Sequence, residues 1–222
     1  QWPDPDVYVN YMGQSLSGSE NRNINRTYPG KADGTLTEMM SYGIVQLINT
    51  ENIDVTVDLH EASPEYPVIN ALIAHERAMN LASNVVVDMQ MEGVQISLEP
   101  SPTDLRGLTH RELGDHTDTL ALLMEAPNPA QGRLRDRTDE ALVLTGKSET
   151  YVKAGEIGQL YVPYDENGWP IEVRCARHVF GIERILANYS EMYEEPIIVT
   201  GMPSYDELVK NGMGPYLNEP TT

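Results

Sequence analysis

The sequence predicts a layered α/β fold, and three observations carry that expectation. A stretch with apolar residues at helical spacing opens near Thr35 and leads straight into Ile53, Val55 and Val57, a short run of β-formers that reaches His60. A second strand-like run, Thr119 to Met124 (TLALLM), ends on an acid, Glu125. Between the two lie another strand-like segment, Val68 to Ala74, and a helical one from about Glu76 to Met91. Helices alternating with strands, with no internal repeat, are the order from which layered α/β folds are built.

In chain order, residues 1 to 20 carry Pro, Asp, Gly and Ser with little periodicity, so a loop is expected, with one short strand at Val7-Tyr8-Val9. Trp2-Pro3-Asp4-Pro5-Asp6 reads as the middle of a loop, and the expectation is a chain that continues upstream of Gln1. Asn21 to Gly30 (NRNINRTYPG) is polar and turn-rich. The helix that follows places Leu36, Met39, Met40, Ile44, Val45, Leu47 and Ile48 at helical spacing, with Thr35 or Thr37 to cap it and Glu38 in its first turn. A polar, proline-containing stretch between Gly93 and Gly114 is long enough to predict a functional loop. After Glu125, APNPAQG is a turn that would hold the acid's backbone stiffly. A charged helical stretch is expected around Thr138 to Leu144, short strands over 151–173 around the turn Asp165-Glu166-Asn167-Gly168, and an amphipathic helix from Val179 to Tyr193. The tail from Gly201 is Gly- and Pro-rich. No composition break demands two domains, so one domain over 1–222 is expected.

Thirty-four acidic against fifteen basic residues give a net charge of -19, which argues against nucleic acid or an anionic membrane surface as a partner. No run of 18 apolar residues is present, and no signal peptide stands at the start. An anionic substrate would need a local basic pocket. One cysteine, Cys175, excludes an internal disulfide and a thiolate zinc cluster, and fits a cytoplasmic setting. A metal would have to be held by His, Asp and Glu.

His60, at the end of VTVDLHEAS, has the chemistry of a metal ligand, a catalytic base or a capped loop residue. Asn25-Arg26 sets an amide beside a guanidinium, a pair able to grip a carboxylate. Asn25-Arg26, His60 and Glu125 thus follow one another, each at a strand end or in a tight loop.

In that order these elements resemble a known family. NINRTYPG resembles the asparagine-arginine element of the zinc carboxypeptidase superfamily, and DLH resembles its third zinc-ligand segment. LLMEAPNPAQGRLR is similar to the catalytic-glutamate segment of the succinylglutamate desuccinylase/aspartoacylase branch, and its Glu-x-x-x-Pro-x-Gln-Gly is the most specific of the three motifs. The resemblance covers roughly residues 20 to 140. It implies a three-layer αβα sandwich around a mixed sheet, with the short β-rich excursion near 151–173 set into it. It further implies His60 as a ligand of one zinc ion, Glu125 as the general base acting on zinc-bound water, and Asn25 and Arg26 as holders of a substrate carboxylate. Arg106 or Arg111, in the long loop before Glu125, is left to meet the acyl group's distal carboxylate.

The family's His-x-x-Glu segment, which supplies the other two zinc ligands, is not in this chain, and it is expected upstream of Gln1. The activity implied is hydrolysis of the amide bond of a small N-acylated amino acid or related amide. A peptide-cleaving zinc carboxypeptidase, and a non-catalytic carboxylate-binding relative with a decayed metal site, are the alternatives.

Overall fold

The structure, a computed structural model, describes residues 3–135 and 137–217; Trp2 of the opening loop and residues 218–222 of the tail lie outside the described residues. It is α/β, with a mixed open sheet and helices, an arrangement compatible with an αβα sandwich. A hairpin of β1 (Val7–Val9) and β2 (Ser15–Ser17) precedes α1 (Leu36–Glu51), β3 (Val55–Ala62), β4 (Ala71–Ala74), α2 (Met79–Met91) and β5 (Ser97–Pro100). Then come α3 (Thr109–His116), β6 (Leu120–Pro127), α4 (Glu140–Thr145), α5 (Glu149–Glu156), α6 (Ile171–Tyr193) and α7 (Tyr205–Asn211). The sheet order is β3-β6-β4-β5. No helix among the described residues is long and apolar enough to cross a membrane.

Backbone hydrogen bonds set the strand directions. The amides of Leu120 and Asn128 donate to Asp54 and Ala62 with one constant offset, both at 2.7 Å, so β6 runs parallel to β3. Ser97 and Ser101 donate to Asn70 and Ala74 in the same way, so β5 runs parallel to β4. The chain forms two compact units. One takes Asp58 and the residues before it, Ile73–Ala82 and Glu99–Leu123; the other takes Leu59–Leu72, Ser83–Leu98 and the chain from Met124 on. The first halves of β3 and β6 therefore share a unit with the second halves of β4 and β5, and the two strand pairs run in opposite directions.

In the first unit, α1 begins with a capping box: the Thr35 side chain accepts from Glu38 N at 3.3 Å and Glu38 Oε2 accepts from Thr35 N at 2.8 Å. The core gathers Tyr28, Val45, Ile48, Leu113 and Ala121, with Ile24 and Ile44 packed against it. Apolar spacing located the helix but not its inner face. Leu36, Met39, Met40 and Leu47 are exposed, while Glu38 and Ser41 are buried, because Glu38 receives Tyr8 Oη at 3.1 Å and Ser41 pairs with Thr27 Oγ1 at 2.6 Å.

In the second unit, the segment 151–173 corrects the expected short strands. It holds the rest of α5, a loop and the start of α6. Ser148 accepts from Tyr151 N to cap α5, and Tyr151 and Ala154, one helical turn apart, are both buried. The turn at Asp165–Gly168 is as expected, closed by Gly168 N on Asp165 O at 3.0 Å. The final amphipathic helix begins earlier than the apolar spacing indicates, immediately after Pro170. The polar stretch between Gly93 and Gly114 is likewise no long loop, since it contains β5 and the first turns of α3.

Candidate functional site

His60 and Glu125 are carried by the C-terminal halves of β3 and β6, neighbouring parallel strands of one unit. Both lie inside their strands rather than just past them, because β3 runs to Ala62 and β6 to Pro127. Equivalent positions on adjacent strands point their side chains to one face. The result is His60 Nδ1 at 3.9 Å from Glu125 Oε1, with both side chains partly shielded from solvent. That separation exceeds a direct hydrogen bond and suits two groups that share a third polar atom.

The surroundings hold this pair's backbone in place. Glu61, next to His60, accepts from Asn128 Nδ2 at 2.6 Å and is ion-paired with Arg174 of α6. Arg174 is almost fully buried and also donates to the carbonyls of Trp169 and Val143, so one guanidinium ties β3, the α4 region and the start of α6 together. One turn further along α6, His178 Nε2 is 3.0 Å from the His60 carbonyl oxygen. Burial pushes the His178 imidazole below its ordinary range, outweighing the nearby Glu61 carboxylate, so the ring is neutral and donates from Nε2. Cys175, on the same helix, is half-buried, and burial pushes its thiol up.

The substrate-binding candidates collect in the other unit. Asn25 and Arg26 form part of a short 3-10 helix, Ile24–Arg26. Asn25 Oδ1 accepts from the Thr109 backbone N at 2.7 Å and from Thr109 Oγ1 at 2.9 Å, so its side-chain carbonyl holds the start of α3. Asn10 Nδ2 bridges the carbonyls of Arg26 and Arg106 at 3.3 and 3.1 Å, which brings the two segments side by side. Gly107 sits between them at φ +89, and a Cβ there would stand 2.2 Å from Arg26 O. Tyr28, buried just beyond, has its hydroxyl pushed up to about 12, by burial first and then by the Asp58 carboxylate.

The arginines of this unit have carboxylate partners. Arg106 pairs with Glu112 and Asp115, Arg111 with Glu76 and Asp115, and Arg22 with Asp4. His75 Nε2 stands 3.1 Å from both Glu76 and Asp115. His75, Glu76, Arg106, Arg111 and Asp115, with Thr103, line a cavity of about 360 Å³.

A catalytic zinc takes three protein ligands. Among the described residues no group of three His, Cys, Asp or Glu side chains is placed to hold a metal. His178 and Arg174 were missed in the sequence. Both act on β3 across more than a hundred positions, through a backbone carbonyl and through Glu61, and no short motif encodes such a contact. Comparison with family models, with curated proteins and with solved structures finds no match to this chain.

Proposed function

We propose that this chain acts as a zinc-dependent amide hydrolase of the deacylase type, with a zinc carboxypeptidase-like fold. In this reading His60 is one ligand of the metal and Glu125 is the general base. The observation that carries the reading is the 3.9 Å approach of His60 Nδ1 to Glu125 Oε1 at the C-terminal ends of parallel strands, where α/β sheets place their ligands. Zinc, when bound, would supply Lewis acidity toward water and toward the substrate carbonyl.

Glu125 suits its part because it sits on a strand that is otherwise buried, in a position set by the sheet. Its carboxylate takes a proton from the attacking water and returns it to the departing amine, so one group serves both halves of the hydrolysis. The Glu61, Arg174 and His178 contacts keep the His60 backbone from shifting as charge moves. Asn25, Arg26 and Arg106 keep the substrate-binding roles that the resemblance implies, although Asn25 and Arg106 already hold Thr109 and Glu112 in the structure.

The test is Glu125→Gln in the complete polypeptide, assayed on N-acyl amino acids and on short peptides. Turnover of the N-acyl amino acids should fall by about 10²–10⁴-fold with substrate binding retained. Turnover equal to that of the parent would refute Glu125 as the base. A preference for peptides would move the reading to a carboxypeptidase, and binding without turnover in the parent would favour the non-catalytic relative.

A further inference from the structure

A second cavity, of about 480 Å³, lies in the unit that holds His60 and Glu125, and no role is yet attached to it. Its walls come from the turns that follow β3 and β6, with Glu65 on the first and Arg133 and Leu134 on the second. Leu160 and Tyr161, from the loop after α5, complete it. Loops just beyond the carboxyl ends of parallel strands are where open α/β sheets bind small molecules, and the volume is that of an ordinary small-molecule site.

The walls are fixed before any ligand arrives. Glu65 Oε1 accepts from Arg133 N at 2.6 Å and Glu65 Oε2 accepts from Tyr151 Oη at 2.7 Å, while Tyr161 N donates to Pro64 O at 3.1 Å. Burial pushes the Glu65 carboxyl up, and its hydrogen bonds from Tyr151 and Arg133 outweigh this and leave it below the ordinary carboxylate range. Between the turns, Gly132 has φ +86, and a Cβ there would meet Glu65 Oε1 and Ser63 Cβ at 2.3 Å, so only glycine lets them close.

Both Glu65 oxygens are thus engaged by the wall, and the Arg133 guanidinium has no ion-pair partner among the described residues. Most of the chain's arginines are matched by acids, yet Arg133, Arg135 and Arg137 bring three of the fifteen basic residues into five positions of a molecule of net charge -19. Arg133, with no ion-pair partner among the described residues, thus shares the cavity lining with Leu134, Leu160 and Tyr161, a basic residue among largely apolar ones. Such a surface suits a single negative charge on an apolar body, and the acidity of the whole molecule opposes a polyanion.

We infer that this cavity binds a small monocarboxylate with an apolar body, Arg133 taking the carboxylate and Leu134, Leu160 and Tyr161 the body. As a substrate-recognition pocket it rests on the hydrolase reading; as a binding site it does not.

The experiment is calorimetric titration of the complete polypeptide with N-acetyl-phenylalanine and with its carboxamide. Binding is measured in the parent, in Arg133→Gln and in Glu125→Gln, and turnover is followed in a separate assay. The acid should bind at least roughly tenfold better than the amide, and Arg133→Gln should erase that difference while Glu125→Gln keeps it. Equal affinity for acid and amide, no binding of the acid, or acid binding untouched by Arg133→Gln would each overturn the proposal. Lack of turnover with the binding pattern intact would count against the hydrolase reading and leave the carboxylate site standing.

Discussion

Arg106 meets Glu112 with both arms of its guanidinium fork, Nε at 2.7 Å from Oε1 and Nη2 at 2.6 Å from Oε2, over a carboxylate wholly shielded from solvent. Glu112 Oε1 also accepts from Gly107 N at 2.8 Å. Removing Glu112 leaves Arg106 with Asp115 alone and takes the acceptor away from the buried Gly107 N. Glu112→Ala should therefore destabilise the protein by about 1–3 kcal/mol, read as a lower urea midpoint. A change below about 1 kcal/mol would mean the pair is as weak as a surface contact.

Metal content bears on His60 directly. His60→Ala in the complete polypeptide should lose bound zinc, measured by elemental analysis after dialysis, with circular dichroism confirming the fold. A zinc content equal to that of the parent would show that His60 is no ligand.

Acid should loosen the first unit before other causes act. The Arg111 guanidinium holds the Glu76 carboxyl well down, at about 2 against an ordinary 4.5. Asp115 is also below its usual range, since hydrogen bonds from Arg111 and His75 outweigh its burial. A depressed carboxylate adds stability that is fully present above the unfolded value and is lost as pH falls through the folded one. The urea midpoint should decline between pH 4.5 and about 2, and Arg111→Gln should flatten that decline. The effect of Glu76 is softened because its side chain is more than half exposed. The same slope in the parent and in Arg111→Gln would contradict the assignment.

His178 should make its own contribution at higher pH. Burial favours its neutral form in the folded state, so that stability is complete above the ordinary histidine value of 6.5 and weakens as pH falls below it. His178→Gln keeps a donor for the His60 carbonyl without the titration. Between pH 7 and 5 the parent should lose more stability than this variant; parallel curves would show that His178 does not carry the change.

Much of the fold was legible because its signals are local. Thr35 and Glu38 announce the start of α1 by a capping box, and TLALLM is too apolar and too short for anything but a buried strand. The short strands expected over 151–173 failed for the opposite reason. Tyr151, Val152, Tyr161 and Val162 are good β-formers, but Ser148 caps a helix there and Tyr151 anchors it in the core, so tertiary burial overrode propensity. α3 was hidden by its own composition. His110, Arg111 and Glu112 look like a solvated loop, yet all three are buried, Arg111 pairing with Glu76 far away in sequence and Glu112 with His116 one turn along the helix.

The candidate site was legible to the same extent. His60 and Glu125 stood out because each follows a run of strand formers, and the sheet does bring them together. Nothing local in Asn25 foretold that its side chain would be used to hold Thr109. The Arg133 cavity was also out of reach, since it depends on two turns, sixty-odd positions apart, closing across Gly132.

The one thiol of the molecule gains a use from its place on α6. Cys175 neighbours Arg174 in sequence and is half-buried, with a pKa raised by that burial, so the folded protein keeps it mostly as the slow-reacting thiol. When α6 lifts away, the same sulfur becomes an ordinary exposed cysteine. Its alkylation rate is then a clock for the opening of the helix that braces His60, and it needs no engineered label.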